Sequence, residues 1–307
     1  MNIESPQSYQ VPILFIIFNR PETTRRVFEA IRSIKPARLF IAADGPRSSK
    51  PEEGKLCQEA REVATEIDWP CETKTLFREK NLGCKDSVSS AISWFFQNVE
   101  EGIILEDDCL PNQSFFLFCQ ELLERYRDEG RIMHISGLNL QFGEQFGQGS
   151  YYFSHFPHIW GWATWRRAWK KYDIEMRGLE KLVTSNKAYA LFEDRRMSRF
   201  LNSLFLHVRD KKIDTWDAQW AYSIMNASGI AITPNINLVE NIGFGNNSTH
   251  TNEKSSKLGQ KSSPLSKITH PIETIVNKEA DSRLFKKVYL VSTSDKIRLR
   301  IRKILGI

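Results

Sequence analysis

An α/β fold, with a mostly parallel sheet flanked by helices, is what this sequence predicts, on three observations. Short runs rich in Ile, Phe and Leu alternate with longer segments of helical periodicity, four times over before residue 127. Strand and helix alternating in this way mean a mostly parallel sheet with helices on both faces. Each strand ends in a turn that carries charge: Asn19-Arg20-Pro21, Asp44-Gly45-Pro46, Arg78 before Asn81-Leu82-Gly83, and Glu106-Asp107-Asp108. In such sheets ligands bind beyond the carboxyl ends of the strands, where all four turns fall.

The elements follow in order. Residues 11–18 predict a buried strand, ended by Asn-Arg-Pro. A helix follows with Pro21 in its first turn and Val27, Ala30, Ile31 and Ile34 on one face. Residues 38–43 form a second strand, 51–67 a polar helix, and 73–77 a third strand. The helix over 86–98 buries Val88, Ala91, Ile92 and Phe95. Residues 102–105 are the fourth strand, and Pro111 opens a helix with Phe115, Phe118, Cys119, Leu122 and Tyr126 inward. Beyond Ile132 the pattern loosens. Residues 151–169 are dense in aromatics, 179–211 read as helical, and 215–228 form a helix starting at Trp216-Asp217. Residues 246–266, rich in Ser, Lys, Asn and Gly without periodicity, predict a mobile loop suited to a lid.

Charge separates body from tail. Of 43 basic and 37 acidic residues, eight and two fall in 281–307, leaving 35 of each in the first 280. A neutral body disfavours a nucleic-acid partner, which needs cations spread over a face. Residues 295–305 alternate Ile297, Ile301, Ile304 and Leu305 with five Lys or Arg. This basic amphipathic helix suits peripheral membrane contact, and equally a solvated helix packed by its apolar stripe. Domain bounds are expected at 8–275 for the body and 276–307 for the tail. Five cysteines without a C-x-x-C pair argue against a disulfide framework or structural zinc. The longest apolar run, 13–18, is too short to span a bilayer and lacks a signal peptide's flanks. A cytoplasmic setting, at the inner face of the membrane if the tail binds there, is expected.

The sharpest chemical signal is Glu106-Asp107-Asp108. Three adjacent carboxylates at a strand end repel one another unless a cation neutralises them, and hard oxygens suit Mg²⁺ or Mn²⁺ bridging a diphosphate. Strand alternation puts Glu106 and Asp108 on one side and Asp107 on the other. A solvated acidic turn is the plainer alternative. Arg20 suits bidentate phosphate contact, although a surface arginine after a strand is as common. Asp44 in Asp-Gly-Pro is by itself a turn former. Arg78 and Lys85 flank a helix start that favours anions. Gly161, between Trp160 and Trp162, fits a close backbone approach to a ligand. Six of the eight tryptophans lie in 160–220, where Trp160, Trp162, Trp165 and Trp216 either line a sugar pocket or fill the core. Asp217 is a candidate base or a helix cap, and His250 a candidate metal ligand or an exposed loop histidine.

The order of Phe18-Asn19-Arg20, Ala43-Asp44-Gly45, Asn81-Leu82-Gly83 and Leu105-Glu106-Asp107-Asp108 resembles the GT-A (Rossmann-like) glycosyltransferases, and among them the N-acetylglucosaminyltransferase I family. The likeness continues through Ile159-Trp160-Gly161-Trp162, Trp216-Asp217 and Gly243-Phe244-Gly245, over about residues 11–250. It departs where the family has two consecutive Asp, because Ala218 follows Asp217 here. The resemblance implies a metal-dependent, inverting transfer from a UDP-sugar to a hydroxyl of a glycan or lipid-linked acceptor. It implies that Arg20 contacts the diphosphate, Asp44 the uracil N–H, Asp107 the ribose and Glu106 the sugar. Asp108 and His250 are the implied metal ligands, Asp217 the implied base. The donor site is completed by Arg78, Lys85, Gly161 and Trp162. A sugar-nucleotide nucleotidyltransferase would need a Gly-rich basic loop after the first strand, which Asn19-Arg20-Pro21-Glu22 is not. A non-catalytic nucleotide- or carbohydrate-binding module is the other alternative.

Overall fold

The computed structural model describes residues 8–185, 192, 194–243 and 260–290. Four parallel strands, β1 (Ile13–Ile17), β2 (Arg38–Ala43), β3 (Glu72–Phe77) and β4 (Glu101–Glu106), form half of an eight-stranded sheet in the order β3-β2-β1-β4-β8-β6-β9-β7. Helices α1 (Pro21–Ile34), α2 (Glu53–Ala64) and α3 (Gly83–Asn98) are the crossovers. The second half is mixed. β8 (Trp162–Trp165) runs antiparallel to both β4 and β6 (Ile132–Ser136), while β9 (Ile230–Pro234) is parallel to β6 and antiparallel to β7 (Tyr151–Ser154).

Strand alternation sorts the core into two layers. Ile13, Phe15, Ile17, Ile41, Ile103 and Leu105 pack with α1 and with α4 (Gln113–Arg125) on one face. Leu14, Ile16, Phe40 and Ile104 pack with α3 on the other, against Trp162, Trp169, Trp216 and Trp220. Local chemistry sets the helix ends. Pro21 occupies the first turn of α1, where its missing N–H costs nothing. Asn112 caps α4 by accepting from the Phe115 N–H at 3.2 Å.

The expected strands 1–4 are found within two residues of their bounds. Among the described residues the stretch 179–211 is not one helix: it holds α6 (Leu179–Thr184) and α7 (Arg195–Arg209), with α5 (Arg166–Trp169) before them. Asp194 starts α7 by accepting from the Arg196 N–H at 2.8 Å. Together with α8 (Asp217–Asn226) these helices enclose a third core of Leu179, Met197, Leu201, Phe205 and Tyr222.

The tail expectation changes in its described part. Residues 276–290 are packed into the body as helix α9 (Lys278–Leu284) and a π-helical turn, Phe285–Tyr289. Leu284 and Phe285 join the third core, and buried Asp281 accepts from the Ser154 hydroxyl at 2.6 Å and the His155 N–H at 3.1 Å. The basic run 295–305 lies outside the described residues. So does most of the expected loop 246–266; its described end is pinned to α4, where Asn112 Nδ2 donates to the Ser263 carbonyl at 2.8 Å. All five cysteines are free. Among the described residues no helix is long and apolar enough to cross a membrane.

Candidate active site

β1 and β4 are neighbours in parallel register, Ile16 opposite Glu106, so Arg20 and the acidic triplet emerge at one edge. β4 stops at Glu106, and the chain turns through Asp107 and Asp108 into β5 (Cys109–Pro111). That turn overrides the alternation expected of an extended strand. Both aspartates reach Arg20, whose Nη1 lies 2.7 Å from Asp108 Oδ2 and 3.5 Å from Asp107 Oδ1. Asp107 Oδ2 also accepts the Phe18 N–H at 3.0 Å. A late segment closes the corner: β10 (Val239–Asn241) pairs antiparallel with β5, the Ile242 N–H donates to the Asp108 carbonyl at 2.8 Å, and Gly243 lies against the Asp108 side chain. A side chain at 243 would collide with that carboxylate.

Asp217 approaches from α8. The Thr215 hydroxyl and the Ala218 N–H both bond its Oδ1, and Oδ2 has no hydrogen-bond partner among the described residues. The carboxylate is thus fixed through one oxygen with the other open. Thr215 escapes a motif reading, although a hydroxyl two residues before an acid at a helix start is a known local bonding pattern.

Charge at this corner is poorly balanced. Glu106 is partly buried and accepts no hydrogen bond among the described residues. Burial, then Asp108, Asp107 and Asp217, push its carboxyl up to about 8 against the pull of Arg20. Burial and then Asp108 push Asp107 up to about 7. Asp217 is the weakest of the three acids that raise Glu106. Cys84, in the first turn of α3, feels the same field. Burial and then Glu106, Asp217, Asp214 and Asp44 push its thiol up to about 12.

These shifts predict a pH dependence. Carboxyls raised in the folded state hold protons that the unfolded chain releases near pH ~4, so their stabilising contribution is full below that and is lost as pH rises through their folded values. Buried, neutral His134 and His158, pushed down to about 3 and about 4, act oppositely, but only below about pH 6.5, where the unfolded chain takes up protons. Between about pH 6.5 and 8 the acids therefore act alone. Unfolding free energy, measured by urea titration, is expected to fall there by about 1 kcal/mol per pH unit, and Glu106→Gln to flatten the slope. A wild-type slope of zero would contradict the coupling.

Other candidates hold the protein to itself. Asp44 accepts from the Gly45 N–H, the Leu82 N–H and Asn81 Nδ2, each at 3.0 Å. Its lone pairs tie the end of β2 to the turn after β3, which differs from the expected contact to a uracil N–H. Arg78 donates to the Ser90 hydroxyl at 2.8 Å, and Lys85 lies 3.9 Å from Asp86 in the first turn of α3. Trp162 is fully buried between His134, 4.9 Å away and stacked, and Trp216, 5.8 Å away. It is core, not pocket lining, because β8 sits inside the sheet, and Trp165 and Trp216 are buried with it. Of the four tryptophans read as pocket lining or core, Trp160 alone is partly exposed.

Gly161 meets a packing constraint inside the protein. It has φ +66°, and a Cβ there would lie 2.7 Å from Val239 and 3.3 Å from Leu105, so packing demands glycine. Gly161→Ala is expected to cost about 3 kcal/mol, from left-handed backbone plus overpacking. Denaturant titration checks this, and a loss under about 1 kcal/mol would refute it. His250, Phe244 and Gly245 lie outside the described residues.

Among the described residues no three His, Cys, Asp or Glu side chains converge to hold an ion by themselves. A cation at this corner would rest on one or two carboxylates and take its other ligands from water or phosphate oxygens, as Mg²⁺ does in many nucleotide sites.

No protein-family model and no curated protein sequence matches the chain. A solved structure with a partial likeness is HddC from Yersinia pseudotuberculosis, at 8% identity and a TM-score of 0.32, over 51% of this chain and 77% of that one. A likeness of that size assigns neither fold family nor function.

Proposed function

We propose that this protein is a metal-dependent glycosyltransferase of GT-A type. It moves a sugar from a nucleotide-diphosphate donor, UDP-sugar above all, to a hydroxyl of a glycan or lipid-linked acceptor. The observation that carries this reading is the pair Asp107 and Asp108 closed on Arg20 at the end of β4, together with an Asp217 held through one oxygen while the other has no hydrogen-bond partner among the described residues. A binding module needs no oriented free carboxylate. A transferase needs one, to take the proton of the attacking hydroxyl.

The residues fit a divalent cation: the oxygens are hard, Glu106 accepts no hydrogen bond among the described residues, and Arg20 pairs with both aspartates. Asp108 would hold Mn²⁺ or Mg²⁺. When bound, the ion offsets charge on the leaving diphosphate. Arg20, held in place by Asp107 and Asp108, meets the incoming phosphates. Asp217 Oδ2 accepts the acceptor's hydroxyl proton as that oxygen bonds to the anomeric carbon. The bond to the diphosphate breaks with its electron pair on the phosphate oxygen, and the configuration inverts. Asp107 and Glu106 offer acceptor oxygens to donor hydroxyls.

A thermal-shift panel of nucleotide sugars with and without Mn²⁺ tests the reading. A ligand at one hundred times its Kd stabilises by about 2.7 kcal/mol, worth roughly 5 °C in a chain of this size. UDP-sugars with Mn²⁺ are expected to give that shift and to be turned over. A shift with UDP but no turnover of any donor would make the chain a binding module, and the absence of any shift would refute nucleotide binding.

A further inference from the structure

A cavity of about 410 Å³ opens between α3 and α5. Ser93, Phe96 and Gln97 line it from the last two turns of α3, and Arg166, Trp169, Lys170 and Tyr172 from α5 and the residues after it. Its apolar wall is fixed from behind. Phe96 and Trp169 are buried, and Trp169 is stacked on Tyr172 at 4.3 Å with Trp220 5.1 Å away. The Trp169 indole N–H donates to the Ser93 hydroxyl at 3.1 Å, and the Tyr172 hydroxyl donates to the Trp216 carbonyl at 3.2 Å. The rings thus satisfy their polar atoms within the protein. The mouth differs: its lining carries two cations and no carboxylate. Arg166 uses Nε on the Val99 carbonyl at 3.0 Å and Nη1 on Glu100, while Nη2 has no partner among the described residues. Lys170 is exposed and has no ion-pair partner among the described residues, and the Gln97 amide, also exposed, makes no hydrogen bond there.

A preformed apolar cavity with open donors at its mouth calls for a ligand of two parts. A bare anion leaves the apolar wall uncovered, and a neutral hydrocarbon leaves the cations unanswered. A sugar or a nucleobase gains by stacking on an open ring face, which buried Phe96 and Trp169 do not present. An alkyl chain gains from apolar wall in any orientation, because burial of hydrocarbon is not directional. A phosphate monoester brings nearly two negative charges and three acceptor oxygens, a match for the Lys170 ammonium, Arg166 Nη2 and the Gln97 amide. We propose that this cavity binds an alkyl phosphate, its chain against Phe96 and Trp169 and its phosphate at Lys170 and Arg166. Soluble alkyl phosphates and lipid phosphate headgroups share that chemistry. The site uses none of the residues of the candidate active site and stands independently of the glycosyl-transfer reading.

The test titrates the full chain by calorimetry with hexyl phosphate, ethyl phosphate, inorganic phosphate, hexanol and glucose 6-phosphate. Hexyl phosphate is expected to bind tightest of the five, at least about tenfold tighter than ethyl phosphate, since each buried CH₂ is worth up to about fourfold. Lys170→Ala is expected to weaken it about tenfold. Gln97→Trp, which fills the mouth from an exposed position, is expected to weaken it at least as much. Both variants should melt within about 2 °C of wild type, because both positions are exposed. Flotation with phosphatidylcholine vesicles, with and without phosphatidic acid, separates the sources. Lys170-dependent capture by the acidic vesicles identifies a headgroup ligand, and soluble binding without capture identifies a free ester; each upholds the site. Hexyl phosphate binding no tighter than inorganic phosphate or glucose 6-phosphate, binding unchanged in both variants, or no binding at millimolar concentration would overturn it. UDP affinity with Mn²⁺, measured on the same samples, should stay within about twofold in both variants, so failure of this site and failure of the transferase reading are seen separately.

Discussion

Asp217→Asn is expected to lower sugar transfer about a thousandfold while UDP binds with unchanged affinity. The amide keeps the shape and can still accept at one oxygen from Thr215 and the Ala218 N–H, so the start of α8 is preserved. It cannot take a proton. Because Asp217 adds to the charge pressing on Glu106, the variant should also relax that carboxyl toward its ordinary range. Thr215→Val separates orientation from charge. It removes the bond that fixes Oδ1 and leaves the carboxylate, so a smaller loss in kcat, about tenfold, is expected with the pH profile kept. Wild-type turnover by Asp217→Asn in a radiolabelled-donor assay would remove the aspartate from the chemistry.

Asp108→Asn is expected to be as severe by another route. In wild type, Mn²⁺ should strengthen UDP binding, and in the variant calorimetry should give the same weak affinity with Mn²⁺ as with EDTA, a loss of about 100-fold. The fold should survive. The carboxamide oxygen of the variant would still offer Arg20 an acceptor, and removing one of several crowded negative charges lessens the repulsion on Glu106 and Asp107. The apo protein should therefore melt at or above the wild-type temperature. A variant that melts much lower, yet keeps Mn²⁺-dependent UDP binding, would show Asp108 to be structural.

β1, β2 and β4 are written in the chain as apolar runs and charged turns, because a strand buried on both faces needs continuous Ile, Leu and Phe, whereas β3, at the sheet edge, is polar and largely exposed. The second half of the fold is not written in this way. β6, β7, β8 and β9 carry His134, Ser154, Thr164 and Thr233 inside the protein, where buried partners satisfy most of them, and this breaks the pattern that marks a strand. The Thr164 hydroxyl, for example, donates to the Met133 carbonyl across β6 and β8. Within the site, Arg20 and the triplet were legible because β1 and β4 are sheet neighbours. Trp162 was not, since dense aromatics read alike in a core and in a pocket. Asp44 was half legible: a turn former by its local sequence, it turns out to accept bonds from Asn81 and Leu82, 37 and 38 residues on. The packing of α9 was hidden by the basic residues after it, which made 276–307 look like one tail although Ala280, Leu284 and Phe285 are buried.

Anomalous diffraction from crystals grown with Mn²⁺ and UDP addresses the central claim most directly. A manganese peak on the Asp108 carboxylate, bridging to the diphosphate with Arg20 on the phosphate oxygens, is the predicted result. Bound UDP with no metal at that corner, or a metal seated elsewhere, would contradict it.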